Sequence, residues 1–411
     1  MKLFERIIIL ALLLLCSAEV VAQNDSILVV GRDTIAYRYT PISTPRTSKR
    51  GEKFIKYITE SSIDRSFDKR VDFSFMPGLY YSQSTSLGLA FVATGLYRLD
   101  KKNRAISPSN FNISAAASIT GFYRVALSGR TIFRDDRRRI IYNVDFSSMP
   151  TNFWGVGYDA GIENAELRYL ASRTVVDGRF LQRVTKGLYI GVGADFSYLF
   201  SRFGGKRYAS QEEFMARLNG EKSSYTATGI SLFVEYDSRN NIDAPQRGVY
   251  LSLQAKVRPR GLNSVGQTLW SGRLVADYYQ RLWRGAVLAF DLRGEFNSEG
   301  TPWVYNATIG GLTSMRGYYA GRFNDLCAVT LQAELRQRLY KGLGATAWGG
   351  AGNVFHRFGD FDLSHTLPTY GVGLRYELKQ GVNFRLDYGF GAKDSGGKLV
   401  HGAVFSLSEA F

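Results

Sequence analysis

The chain is poor in cysteine, proline and histidine, with two, nine and three residues among 411. Past residue 22 it also lacks any apolar run near the ~18 residues that would suggest a helical membrane span. Each shortage excludes something. Cys16 falls in a segment expected to be removed, so Cys327 stands alone and no intramolecular disulfide is expected. His356, His365, His401 and one cysteine make no ligand cluster, so no metal or other cofactor is expected. His401 has Ser406 and Ser408 nearby, but no orienting acid or amide is marked, and the chain is not read as an enzyme. Acidic residues are short as well: 36 Asp+Glu face 52 Lys+Arg, for a formal charge of +16.

What is present is aromatic and glycine-rich: 25 Tyr, 27 Phe and 43 Gly. That mix favours many strands joined by tight turns. Residues 1–22 read as an export signal: Lys2 and Arg6, the apolar stretch Ile7–Leu15, then Val20-Val21-Ala22, with cleavage expected after Ala22. Leu15 occupies the place where a lipobox at Cys16 would need a small residue. Residues 23–70 are expected to be a short, partly disordered periplasmic segment. Within it Ser26–Tyr39 has a weak strand pattern, Thr40–Lys53 reads as linker and Phe54–Glu60 as one short helix.

From Val71 to Phe411, period-2 alternation dominates. Val249, Leu251, Leu253, Ala255 and Val257 alternate with Tyr250, Ser252, Gln254, Lys256 and Arg258. Leu331, Ala333 and Leu335 alternate with Gln332, Glu334 and Arg336, and Phe384, Leu386 and Tyr388 with Asn383, Arg385 and Asp387. The segments are 71–82, 85–99, 109–121, 122–134, 138–148, 166–184, 187–200, 223–238, 248–260, 266–282, 285–297, 328–339, 344–355, 368–378, 382–391 and 399–411. Most exceed the ~5–6 residues of globular strands and meet the ~9–11 that cross a bilayer at a tilt. A soluble sandwich shows the same alternation, but connection length separates the two. Links after even-numbered segments are mostly tight, as at Thr185–Lys186 and Trp283–Arg284. Those after odd-numbered segments include Met149–Ala165, Ser201–Lys222, Ser298–Cys327 and His356–Leu367. Such parity is the mark of an outer-membrane barrel. The expected fold is an all-β, 16-stranded antiparallel transmembrane β-barrel over residues 71–411, in the bacterial outer membrane. The basic excess reads as solvated interior and loop charge, and as attraction to lipid head groups or lipopolysaccharide. Nucleic acid is not expected as a partner in that compartment.

The motifs add a resemblance. Gly310-Gly311, Met315-Arg316-Gly317-Tyr318 and Gly321 resemble the sixth-loop signature of the BamA/TamA-like outer-membrane assembly superfamily, or bacterial surface antigen family. Glu235-Tyr-Asp-Ser-Arg-Asn-Asn241, Gln332-Ala-Glu-Leu-Arg336, Gly371-Val-Gly-Leu-Arg375 and Phe384-Arg-Leu-Asp-Tyr388 are similar to its later strands, in order and spacing. Phe153-Trp-Gly-Val-Gly-Tyr158 fits a third loop of such barrels. The resemblance implies that the sixth extracellular loop folds into the lumen and that Arg316 meets acids on strands twelve and thirteen. Glu334 holds the first acidic place, but Gly350 stands where the second acid belongs, and Asp387 is the expected substitute. It also implies a seam between the first and last strands, with Pro77 and Gly78 in one and Phe405, Leu407 and Phe411 in the other. Glu409 departs from the usual apolar end. The family's POTRA modules are expected to be missing, because the 48 residues from 23 to 70 are too few and too polar. The implied function is aid to insertion, translocation or lipid handling, with outer-membrane lipids, the barrel assembly machinery and a periplasmic protein as partners. A plugged or gated passive channel is the alternative.

Overall fold

The computed structural model describes residues 28–30, 33–35, 66–82, 86–101, 106–218, 221–242, 244–340, 342–379 and 382–406. The chain divides into residues 1–64 with 378–380, and residues 65–377 with 381–411. In the first unit the described backbone includes a small hairpin, Leu28–Val30 paired with Asp33–Ile35. The signal segment with Cys16 and Ala22, the linker and the short helix expected over Phe54–Glu60 lie outside the described residues.

The second unit is one antiparallel sheet of sixteen strands, each beside its sequence neighbours. They are β1 (Asp72–Ser82), β2 (Ser86–Tyr97), β3 (Ser109–Ser118), β4 (Tyr123–Ile132), β5 (Arg138–Phe153), β6 (Leu167–Thr185), β7 (Leu188–Arg202) and β8 (Ser224–Asp237). There follow β9 (Gly248–Arg258), β10 (Leu269–Arg281), β11 (Ala286–Asn297), β12 (Cys327–Tyr340), β13 (Leu343–Phe355), β14 (Leu367–Lys379), β15 (Val382–Lys393) and β16 (Leu399–Ser406). Two short helices, α1 (Tyr158–Glu163) and α2 (Gln211–Arg217), lie in the connections after β5 and β7. No helix among the described residues is long and apolar enough to cross a membrane.

The two faces of the sheet invert the globular rule. On β8, Ile230, Leu232, Val234 and Tyr236 are exposed, while Ser231 and Glu235 are buried. Leu331 and Val372 stand 52% and 62% exposed, while Glu334 on the strand of Leu331 and Asp387 on the strand beside Val372 are closed off. Apolar side chains gain nothing from water, so this outward band belongs in hydrocarbon, and the polar face lines the interior of a barrel.

β5 runs past the expected end at residue 148. Pro150 pairs with Leu170, and the ladder continues to Phe153↔Leu167. The extension is held by an aromatic cluster of Phe153, Tyr169, Phe214 and Trp303, which brings α2 and the connection after β11 onto β5 and β6. The connection 238–247, after an even strand, is also longer than a tight turn. Asn240 Oδ1 closes it by accepting from the Gln246 and Arg247 amides.

β1 and β16 end the strand order, and no paired register joins them among the described residues. Pro77 pairs with Phe91 and Gly78 with Ala90. Phe405 pairs with Leu386, while Leu407, Glu409 and Phe411 lie outside the described residues.

Candidate functional site

The connection after β11 folds back on the sheet. Its arms, Ala307–Ile309 and Phe323–Asp325, pair as a small ladder, and residues 310–322 form the tip. Gly310, Gly311, Gly317 and Gly321 have φ between +79° and +115°, the left-handed region that favours glycine. Met315 also takes φ +51°, which a side chain adopts at a cost. It is fully buried in an apolar cluster with Ile309, Tyr318, Phe323, Val354 and Leu367. That packing opposes the strain.

Arg316 is fully buried against the inner face of the sheet. Its Nη2 stands 2.5 Å from Glu334 Oε2 on β12, and its Nη1 donates to Asp387 Oδ2 on β15 at 2.7 Å. The guanidinium lies 3.8 Å from the ring centroid of Trp348 on β13. The fork is therefore split between two carboxylates instead of clasping one, and an aromatic face supports its plane. Three more arginines share the acids. Arg336 Nε sits 2.8 Å from Glu334 Oε1, Arg375 contacts Asp387, and Arg385 Nε lies 3.7 Å from Asp387 Oδ2. Arg385 Nη2 donates to the Leu312 carbonyl at 2.7 Å, a second tie between the loop and β15.

Backbone contacts finish the seat. Thr369 Oγ1 donates to the Arg316 carbonyl at 2.7 Å, and Gln332 Nε2 to the Thr313 carbonyl at 3.0 Å. Ser314 Oγ and Thr330 Oγ1 are 2.9 Å apart. A Cβ at Gly389 would meet the Arg316 carbonyl, and one at Gly391 the Tyr318 ring. A Cβ at Gly352 would lie 3.0 Å from the Met315 methyl. The inner face of β15 thus reads Arg385, Asp387, Gly389, Gly391: two charges, then a groove for the loop backbone. The second arm and the end of the tip are held from elsewhere. Gly157 N donates to Asn324 O at 2.8 Å, and Arg322 Nε to the Gly161 carbonyl of α1 at 2.9 Å.

Tyr318 is 3% exposed. Its hydroxyl donates to Pro368 O and accepts from Ala392 N, both at 2.6 Å. Burial pushes its pKa up to about 12. Burial lowers that of Arg322, against the pull of Asp394 and Tyr318. Tyr318→Phe leaves two backbone groups without their partner. It is expected to lower stability by about 1–3 kcal/mol in urea titrations of the protein folded in vesicles; an unchanged midpoint contradicts this.

The structure brings Arg316, Glu334 and Asp387 together. Gly350 lies opposite Gln332, which donates to Asp291 Oδ2 on β11 at 2.8 Å. An acid therefore stands two strands away, reached through the Gln332 amide on β12. Trp348, Arg375, Arg385, Gly389 and Gly391 escaped the sequence reading as loop partners. Their signal was parity, since all share the inward register of Glu334 or Asp387.

The profile of the Omp85 superfamily domain matches residues 109–411. The chain belongs to the Omp85 superfamily. No curated protein matches it in sequence. Among solved structures it is similar to BamA from Haemophilus ducreyi lacking POTRA domains 1–3, with TM-score 0.54 and 13% identity, covering 83% of this chain and 70% of that one. CdiB from Acinetobacter baumannii gives 0.52 at 13% identity, over 83% of this chain and 60% of that one. CdiB from Escherichia coli gives 0.56 at 11% identity, over 82% and 63%. At these identities the likeness is one of fold, and it agrees with an Omp85-type barrel.

Proposed function

We propose that this Omp85 barrel resides in the bacterial outer membrane, exported by residues 1–22 and cleaved after Ala22, with its short turns in the periplasm. Its sixth loop, the connection after β11, is an anchored plug in the lumen. Its role is to aid insertion, translocation or lipid handling at the outer membrane. The observation that carries this is the buried seat of Arg316 on Glu334 and Asp387. Ordering a loop costs conformational entropy, and burying a guanidinium costs desolvation. A chain that only needed a wide pore would gain nothing from either.

With the interior occupied, the work falls to the wall. β1 and β16 are the edge strands, and an edge is a template for pairing with another chain. Pro77 gives β1 no ladder donor, and Gly78 weakens it. Outer-membrane lipids, lipopolysaccharide and a periplasmic protein are the partners this reading requires, with the barrel assembly machinery acting on the chain itself.

Planar-bilayer conductance and an insertion assay test the reading together. The wild type is expected to conduct weakly, Arg316→Ala to open larger and more frequent events, and proteoliposomes to accelerate barrel insertion or lipid flip. A large steady pore unaltered by Arg316→Ala, with no insertion or flip activity, contradicts the proposal and favours a passive channel.

A further inference from the structure

The turn between β4 and β5 and the turn between β6 and β7 meet at the short-turn end, where Arg183 N donates to the Arg137 carbonyl at 2.8 Å. Beside them opens a cleft of about 620 Å³ lined by Arg137, Gln182, Arg183, Val184, Thr185 and Lys186. Three cations line it and no acid does. The ladder slips between Arg183 and Thr185, and both flanking residues reach the cleft.

Neighbouring acids do not neutralise it. Asp136 is taken: Arg139 donates to both its oxygens at 2.7 Å, and the Tyr189 hydroxyl donates to Oδ2 at 2.6 Å. Asp237 is engaged by Arg139 and Arg239. Asp135 is exposed in the first turn, but Arg134, Arg137 and Arg138 outnumber it. Arg138 Nε donates to Gln182 Oε1 at 3.1 Å and brings a fourth cation to the edge of the cleft.

The surface next to the cleft is apolar. Val184 is 58% exposed. Ile140, Phe180 and Val192, paired across β5, β6 and β7, are exposed on the outward face, and Ile190 stands beside them. Cations above an outward apolar strip match the two halves of an anionic lipid, phosphate and acyl chain.

We propose that this cleft holds the phosphate headgroup of an anionic phospholipid, with its chains along Ile140, Phe180 and Val184. The assignment to the periplasmic leaflet rests on the orientation given under the proposed function; the binding chemistry does not.

The test uses the purified full chain in detergent, titrated with dioleoyl-phosphatidylglycerol or dioleoyl-phosphatidylcholine and read by native mass spectrometry. The wild type is expected to retain phosphatidylglycerol preferentially. Arg137→Gln/Arg183→Gln/Lys186→Gln is expected to weaken that retention roughly 100-fold, the weight of three cations near an anionic surface. A control pair at the opposite end, Lys206→Gln/Arg207→Gln, is expected to leave it unchanged. Equal loss in the control, no loss in the triple variant, or displacement of the lipid by millimolar inorganic phosphate each overturns the proposal. If the triple variant fails the heat-modifiability test of folding, Lys186→Gln alone carries the assay, with roughly 5-fold weakening expected. Labelling Lys186→Cys and Lys206→Cys in intact cells checks the leaflet separately. Surface labelling at 186 overturns the orientation and leaves the binding result standing.

Discussion

Arg316→Ala is expected to free the loop and to destabilise the folded barrel by about 3 kcal/mol, the low end of the penalty for removing one partner of a buried ion pair. Two opposing effects set that size. Glu334 and Asp387 lose a fully buried partner. Yet Arg336 and Arg375 still engage them, and the crowding of Arg316 against Arg385 is relieved. The larger consequence is positional. Without the guanidinium, residues 312–318 keep the Leu312, Thr313 and Ser314 ties but lose their central one. Urea titration in vesicles and hydrophilic maleimide labelling of a cysteine at position 314 read the two effects separately. Arg316→Lys is expected to fall between, because an ammonium is a point charge and lacks the planar fork that spans two carboxylates and stacks on Trp348. A lysine variant equal to wild type would mean that charge alone holds the loop.

Gly389→Val is expected to unseat the same loop without touching a charge. Gly389 backs directly onto the Arg316–Gly317 peptide, and Gly317 sits at φ +115° with its own hypothetical Cβ 2.8 Å from the Gly389 carbonyl carbon. Neither backbone can yield easily: one lies in a strand ladder, and the other is tied to Thr369. Overpacking of this kind costs about 1–3 kcal/mol. The labelling pattern should match that of Arg316→Ala, and the double variant should lose less than the sum, since both changes break one seat. Full additivity would contradict a shared seat.

The strands were legible in the sequence because a lipid-facing wall forces alternation, and Leu331, Leu386 and Val372 carry it plainly. The last residues of β5, past residue 148, were not, because the aromatic cluster that holds the ladder together there is gathered from distant segments around Phe214. At the site, Arg316, Glu334 and Asp387 stand out as charges in motifs. The grooves do not. Gly389 and Gly391 look like ordinary strand glycines, and Gly350 looks like a missing acid until register sets it against Gln332. Sequence spacing gives the face a residue points to, but not which strand lies across the interior.

The most direct test of the loop seat is a disulfide between Ser314→Cys and Thr330→Cys in a Cys327→Ala background. The two native hydroxyls are 2.9 Å apart, close enough for cysteines there to meet the geometry of a bridge. In the membrane-embedded protein, mild oxidation should join the loop to β12, shown as a mobility shift on denaturing gels that reductant reverses, and conductance should stay low. Free thiols after oxidation, with position 314 open to a bulky hydrophilic maleimide, would mean that the loop does not lie on the inner wall.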